Sequence, residues 1–390
     1  MSTTPRDIED LARRPWDAIV LGAGPAGSVA ARGLALRGLR TLLVDRKPFP
    51  RRKVCGACLN RDAVGALEAA GLGPALRGLG GPALDRLEIG LEGRSISLAL
   101  PGGTAVSRSA LDSALAGEAV AAGAWFRDGI EATVGPAEGG LRRITLAEGP
   151  RQVVARASVV LVATGLGLPR FERDEGVRSV ASPGSRIGAG CRLPGDHGFP
   201  REGTIAMAVG RRGYVGLVRL EDGSLNVAAA LDAGLLRSAG GPAAAAREIL
   251  GQAGFRAAEG LERADWQGTL PLSRRTRPMA AERLFVLGDA AGYVEPFTGE
   301  GMAWAIRAAA EVVPLSERAA ARWEPGLARE WRRAHEACVL QRQRLCRGVA
   351  AVLRRPWIAR AAFAAAGRFP ALAGATTRRL DGTSLLGQSS

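Results

Sequence analysis

Short apolar runs that stop at glycine alternate with stretches of helical spacing through the first third of the chain. Residues 17–21 (D-A-I-V-L) end at Gly22, as a buried parallel strand does. Residues 27–36 place small and apolar side chains at helical spacing, and residues 40–45 (R-T-L-L-V-D) form a second buried run. Together they predict a βαβ unit of about thirty residues. Residues 1–15 are polar and lack periodicity, which predicts a frayed arm. Residues 87–100 read as two strands around a Glu-Gly turn, and residues 109–121 as a helix with Ser109 at its N-cap. Residues 124–157 hold three or four short strands joined by turns such as Glu138-Gly139-Gly140, and residues 158–163 (S-V-V-L-V-A) return to a buried parallel strand.

Residues 168–199, rich in Gly, Pro and Arg, read as an irregular connection. Residues 203–231 carry alternating strands with a hairpin at Asp222-Gly223. Residues 284–287 make one more buried strand, which ends at Gly288-Asp289. Beyond Gly301 the pattern is almost entirely helical, with breaks expected at Pro314, Pro325, Pro356 and Pro370. There is no internal repeat, and the parallel strands lie so far apart in sequence that two domains are expected to interleave. With 390 residues, 47% hydrophobic and 23% charged, the chain can bury a core large enough to enclose a cofactor. Its longest apolar runs, about eight to ten residues, fall short of the ~20 that a membrane-spanning helix needs, so no transmembrane segment is expected.

A formal charge of +15 raises the question of nucleic acid. Only Lys47 and Lys53 are lysines. The other basic residues are arginines spread over the whole chain without interleaved aromatics, the mark of a coding bias and not of a strand-binding platform. Nucleic acid is not an expected partner; the charge favours loose attraction to anionic surfaces, whether cofactor phosphates or lipid headgroups. Five cysteines scattered from Cys55 to Cys346 do not make a disulfide framework. Arg13-Arg14 imitates a twin-arginine export signal, but the stretch after it contains Asp17 and a run of glycines. A reducing, cytoplasmic compartment is expected.

Gly22-Ala23-Gly24-Pro25-Ala26-Gly27 is a G-x-G-x-x-G turn between strand and helix. Its first glycine allows the tight turn, its second lets a pyrophosphate approach the backbone, and its third lets helix pack on strand, with the helix amides facing the phosphates. Asp45 ends the next strand 21 residues after Gly24, where an acid grips a ribose hydroxyl, and Arg46 follows it. A dinucleotide site of Gly22, Gly24, Pro25, Ala26, Gly27, Asp45 and Arg46 is therefore expected. Residues 284–305 (L-F-V-L-G-D-A-A-G-Y-V-E-P-F-T-G-E-G-M-A-W-A) repeat the strand, Gly-rich turn and helix. An acid at that strand end can accept from the ribityl hydroxyls of a flavin, and the helix N-terminus near Gly299-Glu300-Gly301 can stabilise negative charge on a reduced flavin ring. This favours FAD over NAD; the plain alternative is an unrelated strand–turn–helix with a capping aspartate.

With these residues in place the chain resembles the FAD-dependent oxidoreductases of the aromatic-hydroxylase superfamily, and within them the geranylgeranyl-reductase-like branch. The resemblance spans roughly residues 16–320. It rests on G-A-G-P-A-G with Asp45, on P-R-R-K-V-C-G (Pro50 to Gly56), on S-R-S-A-L-D (Ser107 to Asp112) and on G-D-A-A-G-Y-V-E-P-F-T-G-E-G. It implies that Arg108 and the Gly288-Asp289 pair contact FAD, and that the turn through Pro296, Gly299, Gly301 and Met302 lies against the isoalloxazine. It also implies a flavin-proximal Cys55. The P-F-T-G-E-G form points to the reductase-like branch, since many hydroxylases carry glutamine where Glu300 stands. Hydroxylases usually place Asp-Gly after the strand ending near Ala163, in a segment tied to nicotinamide use; here the segment is Ala163-Thr164-Gly165-Leu166-Gly167. The Trp-x-Trp motif of flavin halogenases is missing, and the Trp-x-Phe-Pro run of many reductases is replaced by Tyr214-Val215-Gly216-Leu217-Val218.

Gly188-Ala189-Gly190 imitates a second fingerprint, but Leu193 takes the third glycine position, so it reads as a turn and no separate NAD(P) domain is expected. His197 and His335 are too far apart for a metal site and are expected at the surface. Cys55-Gly56-Ala57-Cys58 reads either as a dithiol redox pair or as two small residues packed beside a flavin. Trp304, Trp323, Trp331 and Trp357 read as core or helix–helix contacts, with an interfacial membrane face as the second reading.

The expected fold is α/β: a Rossmann-like FAD-binding domain interleaved with a mostly antiparallel β-sheet substrate domain, followed by a helical C-terminal region. The FAD-binding parts are 1–80, 106–180 and 271–315, the substrate parts 81–105 and 181–270, and the C-terminal region 316–390. The expected chemistry is hydride transfer through FAD to a carbon–carbon double bond of an apolar, isoprenoid-type substrate, with NAD(P)H as a donor and with Cys55 and Glu300 as catalytic candidates. A flavin monooxygenase and an electron-relay flavoprotein are the alternatives, and the expected location is cytoplasmic, with peripheral membrane association as the second reading.

Overall fold

The computed structural model describes residues 7–295 and 299–340, with a few positions between 343 and 368. The glycine-terminated runs become the centre of a nine-stranded sheet. Trp16–Leu21 pairs in parallel with Thr41–Val44 on one side and with Arg151–Val162 on the other, and Leu284–Val286 extends the parallel order. Apolar clusters cover both faces of these strands, which is why their sequences read as continuous apolar runs rather than alternating ones. Arg151–Val162 is one strand where the pattern predicts two. Its first half pairs antiparallel with Leu141–Glu148 and its second half parallel with Trp16–Leu21. A change of neighbours, not a turn, switches the pattern.

On one face of this sheet lie the helices Pro25–Ala35, Arg108–Ala121 and Gly301–Ala321. Pro25 opens its helix at the first position, where the missing N–H costs nothing. The expected break at Pro314 does not occur: Gly301–Ala321 runs through it, because Val312, Val313 and Leu315 are locked in the core against the neighbouring helix. Pro325 does start a new helix, Pro325–His335, while Pro356 and Pro370 lie outside the described residues. The cap of Arg108–Ala121 is Ser107 rather than Ser109; its hydroxyl accepts from the amide of Ala110.

The arm also departs from expectation. Ile8–Ala12 is a 3₁₀ helix whose Ile8 and Leu11 are fully buried, and the Trp16 indole donates to the Leu11 carbonyl at 2.8 Å. Two apolar residues three apart are too short a pattern to register as a helix. His335 is corrected as well. It is 2% exposed, its ring meets Trp331 edge-on at 5.5 Å, and its Nδ1 has no partner among the described residues. Burial alone pushes its pKa down to about 4. Trp304 and Trp331 are core residues, whereas Trp357 is exposed.

A seven-stranded sheet forms the second layer, in the order Gln267–Pro271, Ile187–Leu193, Leu225–Leu231, Gly213–Arg219, Thr204–Gly210, Arg86–Leu91, Arg94–Ala99. Only Thr204–Gly210 and Arg86–Leu91 pair in parallel. Helices Ala233–Ala239 and Pro242–Ala253 close one of its faces. Residues 168–199 are therefore less irregular than expected, and Gly188-Ala189-Gly190 is the middle of a strand, not a turn. A Cβ on Gly190 would lie 3.0 Å from the Val227 carbonyl and 3.2 Å from Val54, so close packing, not turn geometry, selects glycine there.

Candidate functional site

Between the two sheets lies a cavity of about 850 Å³. Its first wall is the Gly22–Gly27 turn. Gly22 has φ +101°, and a Cβ there would stand 2.4 Å from the Ala163 carbonyl oxygen; a Cβ on Gly27 would stand 1.8 Å from that of Gly22. These two glycines serve backbone packing. Gly24 serves the cavity: its missing Cβ would meet the guanidinium groups of Arg108 at 3.4 Å and Arg51 at 3.7 Å. The space over this helix N-terminus is thus open to a ligand and flanked by two cations, as a diphosphate requires.

One buried carboxylate organises these cations. Asp112 takes a two-point bond from Arg108, at 2.9 and 2.8 Å, and an ion pair from Arg51 at 3.1 Å. Arg51 also reaches Asp45 at 3.2 Å. Asp45 further accepts from the amides of Ala23 at 2.8 Å and Lys47 at 3.0 Å, which leaves one of its roughly four lone-pair positions for a ribose hydroxyl. Glu221, from the turn after Gly213–Arg219, caps the helix that carries Arg108 by accepting from the Ser107 amide at 2.8 Å. The sequence reading missed Arg51, Asp112 and Glu221. The four-residue spacing of Arg108 and Asp112 signals a helical ion pair; nothing near Glu221 in the chain announces its reach across 114 residues.

Asp289 and Lys53 face each other at 3.9 Å further along. Burial, and then the Arg108 charge, lower Lys53 below the usual lysine value, while Asp289 and Asp112 act against that shift. Arg46, Cys55, Gly299, Gly301 and Met302 line the same cavity, together with Pro25 and Ala26. Gly27 and Gly288 stand behind its wall; a Cβ on Gly288 would press on Ala26 at 2.9 Å. Glu300 does not join the lining. It is buried and its carboxylate is bonded to the Cys346 thiol. Pro296 lies outside the described residues. Cys55 is half-buried, whereas Cys58 is buried, donates to the Gly56 carbonyl at 3.1 Å, and has its thiol pKa raised by burial.

The far wall is the seven-stranded sheet, which presents Leu87, Ile205, Met207, Gly216, Leu217 and Ala228. Tyr214, Gln267 and Thr269 are polar residues of that sheet that also line the cavity, and burial and the neighbouring Glu295 carboxylate raise the Tyr214 pKa well above the usual tyrosine value. Glu295 is held in turn by Arg186 at 3.1 Å, and both are 2% exposed. Cations, glycine and acids at one end and small apolar residues at the other fit a dinucleotide cofactor beside an apolar substrate.

Comparison with known proteins supports the cofactor end of this cavity. Residues 16–139 match the FAD binding domain family. Over 342 residues the chain is 31% identical to the menaquinone reductase of Mycobacterium tuberculosis, covering 80% of this chain and 79% of that protein. A digeranylgeranylglycerophospholipid reductase of Methanothermobacter thermautotrophicus is 43% identical over 61 residues, 15% of this chain and 14% of that one. The FAD-dependent myxobacterial chondrochloren halogenase shares the fold, with a TM-score of 0.67 at 21% identity over 83% of this chain and 79% of its own.

Proposed function

Because the chain belongs to the family of FAD-dependent oxidoreductases that includes the mycobacterial menaquinone reductases, we propose that it reduces a carbon–carbon double bond of an apolar, isoprenoid-type substrate. The observation that carries this reading is the polarity split of the cavity, with charge and glycine around Gly24 and small apolar side chains on the opposite sheet. The short likeness to a digeranylgeranylglycerophospholipid reductase supports an isoprenoid.

FAD supplies hydride transfer when bound. Gly24, Arg51 and Arg108 would hold its diphosphate, Asp45 its ribose and Asp289 its ribityl chain. The sheet residues Ile205, Met207 and Ala228 exclude water and align the olefin, and Cys55 borders the reacting region. NAD(P)H is the proposed donor of the reducing equivalents.

The test is to reduce the purified flavoprotein without oxygen and then add candidate acceptors. Reoxidation by an isoprenoid olefin, with the saturated product recovered, is the expected result. Reoxidation only by oxygen, with an oxygen atom in the product, would replace this reading with a monooxygenase; reoxidation only by a protein carrier would replace it with an electron relay.

A further inference from the structure

Two stretches run side by side, and one end of them, at Gly188, Thr269 and Leu270, lines the cavity. Arg178–Ala181 pairs antiparallel with Arg274–Arg277, and Ile187–Leu193 with Gln267–Pro271. Between them the Ser182 amide donates to the Ser273 carbonyl at 2.8 Å and the Leu272 amide to the Arg186 carbonyl at 2.9 Å, so the two pairings form one continuous ribbon. Its inner face packs on the Asp289 segment, where the Thr276 hydroxyl donates to the Ala290 carbonyl at 2.6 Å.

The outer face has a different composition. Strand alternation places Arg178 and Val180 on it from one strand and Arg275 and Arg277 from the other, with Arg178 opposite Arg277 and Val180 opposite Arg275. Like charges directly opposite across a strand pair cost stability. Arg178 is relieved by Asp174, but Arg275 and Arg277 form no ion pair among the described residues. Val180 is 64% exposed, and Leu270, further along the ribbon, is 49% exposed while also lining the cavity. A residue that does both marks the mouth. Uncompensated guanidinium groups interleaved with exposed apolar side chains are what a surface of anionic headgroups over acyl chains complements.

We propose that this ribbon docks on an anionic lipid surface and holds the cavity mouth at Leu270 against the bilayer in which an apolar substrate is dissolved. The substrate part rests on the function proposed above; the docking does not, because it is measured without turnover. The ribbon is a different face from the tryptophan-bearing C-terminal region, in which Trp304 and Trp331 are buried and Trp357 is exposed.

The flavin-loaded full chain is floated with vesicles of phosphatidylcholine alone and of phosphatidylcholine with phosphatidylglycerol. Binding is expected only with the anionic lipid, weakening as salt rises. Arg275→Gln with Arg277→Gln should lower the partition coefficient roughly twentyfold, and Val180→Asp should lower it further, with flavin retained. Arg156→Gln with Arg211→Gln removes the same charge from exposed positions elsewhere and should leave binding nearly intact. Failure of the wild type to float, equal binding by the ribbon variant, or equal loss in the control variant would overturn the proposal. So would a ribbon variant that floats normally but no longer accepts electrons from an acidic carrier protein. Docking without olefin reduction would leave the proposal standing and remove the reductase reading; reduction of detergent-dispersed olefin without docking would do the reverse.

Discussion

Around Gly24 the cavity wall is a closed network, in which Asp45, Arg51, Arg108 and Asp112 hold one another at 2.8 to 3.2 Å, whereas the sheet wall sets a few uncharged polar groups, Tyr214, Gln267 and Thr269, among small and apolar side chains. A charge network specifies a ligand group by group, since each guanidinium or carboxylate has a direction and a required partner. A wall of glycine, alanine and methionine specifies only a volume. The cofactor's chemistry is therefore written in individual residues, and the substrate's only in the shape they leave. Four outcomes would break or sharpen that contrast, and a fifth tests the fold that carries both walls.

The largest effect belongs to Gly27→Ala. The new methyl would overlap the Gly22 backbone carbonyl oxygen at 1.8 Å, an atom that cannot swing aside, so we predict a loss above about 4 kcal/mol and protein without flavin absorption. A yellow, normally stable variant would show that the turn is more plastic than its geometry. Next is Asp112→Ala. It leaves Arg51 and Arg108 buried without their shared acid, and breaking such a group costs about 3–5 kcal/mol. Urea titration should show the loss, and flavin affinity should fall with it; unchanged affinity would mean the guanidinium groups are not held for a diphosphate.

His335 does not line the cavity and is expected to make the fold more sensitive to acid. Its folded pKa of about 4 lies below the ordinary 6.5, so below pH 6.5 the unfolded chain binds a proton that the folded chain refuses. Stability is then lost as pH falls from 6.5 towards 4, by about 3 kcal/mol in all. His335→Phe should flatten this limb in urea midpoints measured at pH 7.5 and 4.5. If wild type and variant lose stability in parallel, the histidine is not the cause.

At the apolar end, Gly216→Leu points a side chain at Met207, whose sulfur would lie 3.0 Å from the new Cβ. Flavin content should stay unchanged while olefin-dependent reoxidation falls about tenfold, equivalent to about 1.4 kcal/mol. Loss of flavin instead would erase the distinction between the two walls. The smallest effect is expected at Cys58. Serine can keep the bond to the Gly56 carbonyl, and a buried thiol with a raised pKa is a poor nucleophile, so Cys58→Ser should change turnover by less than about twofold. Cys55→Ser, at a half-buried lining position, should slow it clearly. Equal, complete loss in both variants, with a disulfide formed during turnover, would favour a redox dithiol.

What could be read along the chain is whatever depends on neighbours in sequence. The strand 17–21, the turn at Gly22–Gly27, the acid at Asp45 and the strand before Asp289 all follow from runs, periods and spacings of a few residues, and together they point to a flavin-type nucleotide site. The start of the helix at Ser107 was misread by two residues, because two serines compete there and only Ser107 is placed to accept from Ala110. Tertiary structure decided everything that joins distant segments. It sent Glu221 across to Ser107, turned Glu300 away from the cavity to Cys346, and buried His335 under Trp331. It also placed Arg275 and Arg277, which form no ion pair among the described residues, beside Val180. The physical reason is that local order is set by backbone geometry and side-chain period, which short segments carry in themselves, whereas burial and charge pairing depend on which surfaces the folded chain brings together.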